Sequence, residues 1–216
     1  RGRFSVCRAP VTEGIARMIY GKINQAASQE TETEALSNMK GGISMKLLIL
    51  SGNPKKQGLC QSMIDAVKAG AAEGGAAVEE IRLSDMPLIR CQVCDDGWGI
   101  CLSENRCKYG DDGFTALTAQ MESADVLVLA TPVYWGEMSE SLKCFLDRLR
   151  RCVHGPTSFL AGKQALLLAT PGGSGNGQLT CLEQLDRFCR HTGLTIFDYI
   201  GANRWTNDYK RQAAFA

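Results

Sequence analysis

With 216 residues, a formal net charge of +1 and 44% hydrophobic residues, the chain can bury one sizeable α/β core but has no basic excess to suit a nucleic-acid surface. No stretch approaches the roughly 18 consecutive apolar residues of a membrane span, so a soluble protein is expected. Ten cysteines are many, but only Cys91, Cys94, Cys101 and Cys107 cluster, and the long apolar runs are unlike a secreted disulfide scaffold, which points to a reducing cytoplasm.

Residues 1–44 differ from the rest. Thr12 is placed to cap a helix carrying Ile15, Met18, Ile19 and Ile23 at helical spacing, residues 25–38 are polar, and Gly41-Gly42 read as a linker. Met45 reads as an original start, since a domain over 45–216 needs nothing before it. The segment is expected to be an appended helical arm that docks on the body or a partner subunit, or else an artefactual extension.

From there strands and helices alternate. Residues 46–50 form an apolar run after one lysine, as in a central strand covered on both faces. Ser51-Gly52-Asn53-Pro54 breaks it, and Lys55, Lys56, Gln57 and Gly58 precede a helix over 61–73 with Met63, Ile64, Val67 and Ala71 on one face. A strand follows over 77–83, and the cysteine segment interrupts the rhythm from 87 to 109. Asp111-Asp112-Gly113 starts a helix running to about 122, with acidic residues favourably placed at its N-terminus. The strand over 125–130 is ended by Thr131-Pro132. The helix over 139–150 turns Leu142, Phe145, Leu146 and Leu149 inward, with Arg148, Arg150 and Arg151 towards its end. A strand over 164–169, a glycine-rich loop, a helix over 179–191, a strand over 195–200 and a helix over 208–215 complete the chain. Five strands alternating with helices imply a three-layer, doubly wound α/β fold with an open parallel sheet.

In such sheets ligands bind at the carboxyl ends of the strands. Three unusual loops, 51–58, 131–138 and 170–177, each follow a strand. The first opens a helix with small polar residues and two lysines, suiting a phosphate, although an ordinary βα turn would read the same way. It lacks both GxxxxGK[ST] and GxGxxG. In the second, Tyr134 and Trp135 offer a flat wall for a planar ring, with Pro132 and Gly136 shaping the backbone; alternatively Trp135 packs under the loop or at a subunit contact. In the third, Gly172, Gly173, Gly175 and Gly177 allow close approach of a ligand. A near match to GxSxG around Ser174 fails at Asn176, and with only His154 and His191 available a Ser-His-Asp triad is poorly supported. The four clustered cysteines suit zinc or a [4Fe–4S] cluster, or are free thiols packed over the sheet.

Residues 45 to about 210, through LILSGNPKKQGLC, the C-x2-C…C…DD segment, ADVLVLATPVYWGEMSESLKCFLDR and GK…TPGGSGNG, resemble the NAD(P)H-dependent FMN reductases and iron–sulfur flavoproteins of the flavodoxin-like superfamily. The resemblance implies strand order 2-1-3-4-5 and bound FMN. Asn53, Lys55, Gln57, Gly58, Leu59 and Cys60 would wrap its phosphate. Pro132, Val133, Tyr134, Trp135 and Gly136 would line the isoalloxazine, with Pro171, Gly172, Gly173, Ser174 and Gly175 along its other edge. It further implies NAD(P)H as co-substrate, a quinone, metal, small-molecule or protein electron acceptor, and a homodimer or homotetramer. The alternative is an electron carrier, of flavodoxin or iron–sulfur flavoprotein type, without direct pyridine-nucleotide turnover; the near-neutral charge is unlike acidic carriers. A flavin- or metal-sensing protein is a third reading. The chain departs from the family in two places. Cys94 and Cys101 are separated by six residues where the iron–sulfur members commonly have two. Asn53, Lys55, Leu59 and Cys60 stand where serine, arginine and asparagine-threonine are usual, so weaker FMN binding is expected.

Overall fold

Apolar residues on both faces bury β1 (Lys46–Ser51) from Leu48 onward, and this strand lies second in a parallel sheet. The computed structural model describes residues 45–154, 158–173 and 175–216. The arm and linker expected over 1–44, and Ser174, lie outside the described residues. Helix α1 (Leu59–Glu73) follows β1 and leads to β2 (Ala77–Arg82). The cysteine segment holds only a short helix, α2 (Ile100–Glu104), before α3 (Phe114–Ser123). Next come β3 (Val126–Tyr134), the two-residue β4 (Glu137–Met138) and α4 (Glu140–Cys152). Strand β5 (Gln164–Pro171), α5 (Gln178–Thr192), β6 (Thr195–Gly201) and α6 (Asn207–Phe215) complete the fold.

The sheet order is β2-β1-β3-β5-β6 with β4 appended antiparallel to β3, which is the flavodoxin-like order expected once that short hairpin arm is set aside. Strand periodicity divides the core. Leu48, Leu50, Leu127, Leu129 and Leu167 face one side, packing with Phe114, Phe145, Leu149 and Leu185 of α3, α4 and α5. Ile49, Val128, Ala130, Leu166 and Leu168 face the other, against Met63, Ile64 and Val67 of α1 and Ala214 of α6.

Two boundaries differ from the sequence reading. Strand β3 runs through Pro132 to Tyr134 instead of stopping before the proline. The Gly52 amide donates to Ala130 O at 2.8 Å, so Pro132, two residues further, directs its missing donor to the same side, beyond the end of β1, where no ladder bond is lost. Helix α1 begins at Leu59, before the apolar periodicity starts, because Gly58 at φ 106° turns the chain and its carbonyl accepts from Ser62 N at 2.9 Å.

Candidate functional site

The carboxyl ends of β1, β3 and β5 bring the three loops side by side. Ser51 is paired with Ala130, and Pro132 and Val133 with Thr170 and Pro171. Ser139, at the N-cap of α4, donates its amide to Thr131 Oγ1 at 2.9 Å and lies against Gly52, where a Cβ would come within 2.2 Å of Ser139 Oγ. A side chain at position 52 would therefore push the first loop away from the second. The second and third loops meet where a Cβ on Gly177 would lie 2.4 Å from the Gly136 Cα, at a φ of 78° that disfavours side chains in any case.

In the first loop Asn53 is buried and acts as an internal strut. Its Nδ2 donates to Lys55 O at 2.6 Å, and its Oδ1 accepts from Lys55 N at 3.1 Å. The Cys60 thiol is likewise turned into the core, where burial pushes it up to about 11 against a hydrogen bond with Thr170. What remains for an anion is the start of α1, which no side chain caps, with Lys55, Lys56, Gln57 and Gly58 exposed around it. The sequence reading missed the brace beneath this loop. Arg82, at the end of β2, donates from Nη2 to Asn53 O at 3.1 Å and from Nη1 to Gln61 Oε1 at 2.9 Å, and Ser84 Oγ reaches the same carbonyl at 3.4 Å. An arginine ending an edge strand gives no sequence signal of such a role.

The second loop is a tight hairpin. Trp135 (φ 54°) and Gly136 (φ 82°) both lie in the left-handed region, the signature of a type I′ turn, and close Tyr134 onto Glu137. Pro132 and Val133 are strand residues, while Tyr134 is half exposed and the Trp135 side chain projects wholly into solvent at the tip. In the third loop, a Cβ at Gly172 or Gly173 would meet nothing within 4 Å, so both leave open space at the end of β5. Gly175, at φ 91°, is instead pressed against Asn203, where a Cβ would lie 2.7 Å from its amide nitrogen. An uncapped helix start beside two lysines, an exposed aromatic hairpin and open backbone at the third loop together fit a phosphate joined to a planar ring.

The cysteine segment forms a second feature, against the outer side of α4. Cys91, Cys94, Cys101, Cys107 and Cys152 share a cleft with Arg148 and Arg151, whose unfilled space, part of it open solvent, is about 400 Å³. The loop is pinned by α4. Arg148 is 2% exposed and pairs with Asp112 at 2.5 Å. It also donates to Ile89 O at 3.2 Å, to the Cys107 sulfur at 3.1 Å and to Tyr109 O. Its guanidinium lies over the Phe114 ring at 4.2 Å. Arg151 donates to Gly97 O and stacks 4.8 Å from Trp98, and His154 Nε2 lies 3.0 Å from Cys101 O. Burial raises the Asp112 carboxyl, but hydrogen bonds from Arg148 and from the amides of Ile89 and Phe114 outweigh it and hold the group below its ordinary value. The Cys152 thiol is pushed up to about 12, by burial first and then by the facing thiols of Cys107, Cys101 and Cys91. Among the described residues, no three His, Cys, Asp or Glu side chains stand close enough to share one metal ion.

The fold and the three strand-end loops place the chain in the flavodoxin-like class. A family model described as NADPH-dependent FMN reductase matches residues 45–206, and the chain belongs to that family. An iron–sulfur flavoprotein of Methanocaldococcus jannaschii is 31% identical over 144 residues, 67% of this chain and 71% of the relative. One from Archaeoglobus fulgidus is 33% identical over 119 residues, 55% of this chain, so the chain spans about half (51%) of that relative's length. Among solved structures, an NADH:FMN oxidoreductase in its apo form superposes with a TM-score of 0.58 at 21% identity, over 80% of this chain and 85% of the other, a likeness of fold.

Proposed function

We propose that this protein is an FMN-dependent NAD(P)H oxidoreductase that passes electrons to a quinone, metal, small-molecule or protein acceptor. The observation that carries the reading is the convergence of an uncapped α1 start, the Tyr134–Trp135 hairpin and the open Gly172–Gly173 backbone at adjacent strand ends, within a family match to FMN reductases. FMN, when bound, supplies hydride acceptance from NAD(P)H and onward transfer of the electrons. The chain binds and orients it. Backbone amides at Leu59 and Cys60, with the charge of Lys55, hold the phosphate; Gly172 and Gly173 leave room at the ring edge; the Pro132–Gly136 segment walls the ring. Asn53 and Arg82 keep the phosphate loop in shape from beneath. Trp135, exposed at the hairpin tip, and the nearby exposed Leu179 offer an apolar surface for a second copy, consistent with a homodimer or homotetramer. No helix of the described residues is long and apolar enough to cross a membrane. Nine described cysteines are free thiols, which suits a cytoplasmic setting.

The test is a visible spectrum of the purified full chain with and without added FMN, followed by stopped-flow flavin reduction with NADPH and NADH. Flavin binding and reduction by at least one nucleotide are expected. Absence of flavin binding at micromolar FMN overturns the reading, and flavin that neither nucleotide reduces leaves the electron carrier.

The cysteine cleft favours a second element of the reading: an iron–sulfur cluster, with Cys91, Cys94, Cys101 and Cys107 as the loop's ligands, or zinc at the same thiols. Support comes from the four thiols lining one cleft, with the guanidinium of Arg151 on its wall.

A further inference from the structure

We propose that the turn after β6, through Arg204 and Trp205, holds the adenosine end of the pyridine nucleotide and selects NADPH by its 2′-phosphate. The inference rests on the oxidoreductase reading above and adds to it a nucleotide subsite and a preference between the two nucleotides.

The place of the turn is the first reason. Strand β6 runs parallel to β5 and ends at the same edge of the sheet as the three loops, with Gly201 paired to Ala169 and the Ala202 amide donating to Ala169 O at 3.1 Å. Beyond the third loop in the sheet order, this turn is the next strand end. The two touch, since Gly175 is pressed against Asn203. Asn203 and Thr206 lock the turn's shape. Asn203 Oδ1 accepts from the amides of Trp205 at 2.9 Å and Thr206 at 3.2 Å, and the Asn203 amide donates to Thr206 Oγ1 at 3.0 Å. A ligand ring at Trp205 therefore meets fixed backbone beside the loop proposed to edge the flavin. A dinucleotide whose nicotinamide meets the flavin can lay its other end there.

The chemistry of the side chains is the second. The Arg204 guanidinium lies over the Trp205 ring at 4.3 Å, yet Trp205 remains 70% exposed. One face of the indole is thus held by a cation, and the other is open to a flat base. Among the described residues no carboxylate pairs with Arg204. Arg82 and Arg148, by contrast, spend their donors on internal partners. The Arg204 fork is free for a phosphate, which it matches better than a lysine would. NADPH differs from NADH by a phosphate on the adenosine ribose. A stacked adenine with a guanidinium one residue away reads that difference, whereas a stack alone would hold both nucleotides equally.

The FMN-loaded full chain is compared as wild type, Trp205→Ala, Trp205→Phe and Arg204→Gln. Calorimetric titration with adenosine 2′,5′-bisphosphate, which carries no nicotinamide, reads the subsite directly, and steady-state turnover with NADPH and NADH reads its use. FMN affinity reports that each variant is folded. Trp205→Ala is expected to weaken the bisphosphate and raise KM for both nucleotides about tenfold at unchanged kcat, the scale of one base–aromatic stack. Trp205→Phe should recover most of that loss. Arg204→Gln is expected to weaken the bisphosphate and raise KM for NADPH about tenfold, leaving KM for NADH as in wild type. Wild-type bisphosphate affinity in both Trp205→Ala and Arg204→Gln overturns the proposal, as does a wild type that does not bind the bisphosphate. Unaltered KM values with a changed elution volume on gel filtration overturn it in favour of a contact with a second copy. If neither nucleotide reduces the flavin, the oxidoreductase reading falls, and the bisphosphate titration still decides the subsite.

Discussion

Arg148 fastens both ends of the cysteine segment, through Ile89 at one end and Cys107, Tyr109 and Asp112 at the other. A guanidinium this buried is tolerated because its donors meet acceptors and its face meets Phe114. Removing its carboxylate partner would strand the charge, so Asp112→Asn is expected to cost about 3 kcal/mol, read as a lowered melting temperature at neutral pH. The folded Asp112 carboxyl titrates below its ordinary value. Its contribution is therefore fully present above about pH 4 and lost as pH falls through the folded value. Melts at decreasing pH should show wild type and Asp112→Asn converging as pH falls from about 4 through the lowered folded value; a constant gap across that range would show that the ion pair is not the cause. Gly177 makes a second test at this scale. A Cβ there would lie 2.4 Å from the Gly136 Cα at an unfavourable φ, so Gly177→Ala is expected to cost about 2 kcal/mol in thermal or denaturant unfolding. A neutral result would mean that the hairpin tip and the start of α5 yield freely.

Among the elements, β3 does most to place the site. By continuing past the end of β1 it carries Tyr134 and Trp135 beyond the sheet edge, and the hairpin with β4 returns the chain so that Ser139 can start α4 beside Gly52. The end of β2 has the complementary task of bracing the first loop, the proposed phosphate site. Replacing Arg82 by lysine keeps a positive charge but loses the fork that reaches Asn53 O and Gln61 Oε1 together. Arg82→Lys is expected to weaken FMN binding about tenfold, the scale of one hydrogen bond to a charged group. The rate of flavin reduction in the saturated protein should be unchanged. An unaltered dissociation constant, measured by flavin fluorescence titration, would show that the loop holds its shape without the brace.

At the scale of the whole molecule, the strand-end loops and the cysteine cleft are built on opposite ends of one helix. The N-cap of α4 joins the loops at the strand ends, while its last turns carry Arg148, Arg151 and Cys152 into the cysteine cleft. From Glu140 to Cys152 the helix rises about 18 Å. Much of this architecture is legible in the residues. Apolar runs at Leu47–Leu50 and at Val126–Ala130 specify strands buried on two faces, because only apolar side chains can occupy both sides of a covered sheet. The three loops stand out because glycine, proline and exposed aromatics after a strand are poor packing residues. Local pattern could not say that Asn53 and Cys60 turn inward while Arg82, 29 residues after Asn53, supports the loop, since those contacts exist only once β1 and β2 pair. Nor could it show that Cys152 joins cysteines 45 or more residues earlier. Thus the sequence alone determined the layered α/β order and the three unusual loops at strand ends, because periodicity and turn chemistry act over a few residues. Tertiary structure alone decided which side chains face those sites, because that depends on parallel pairing and helix packing between distant segments.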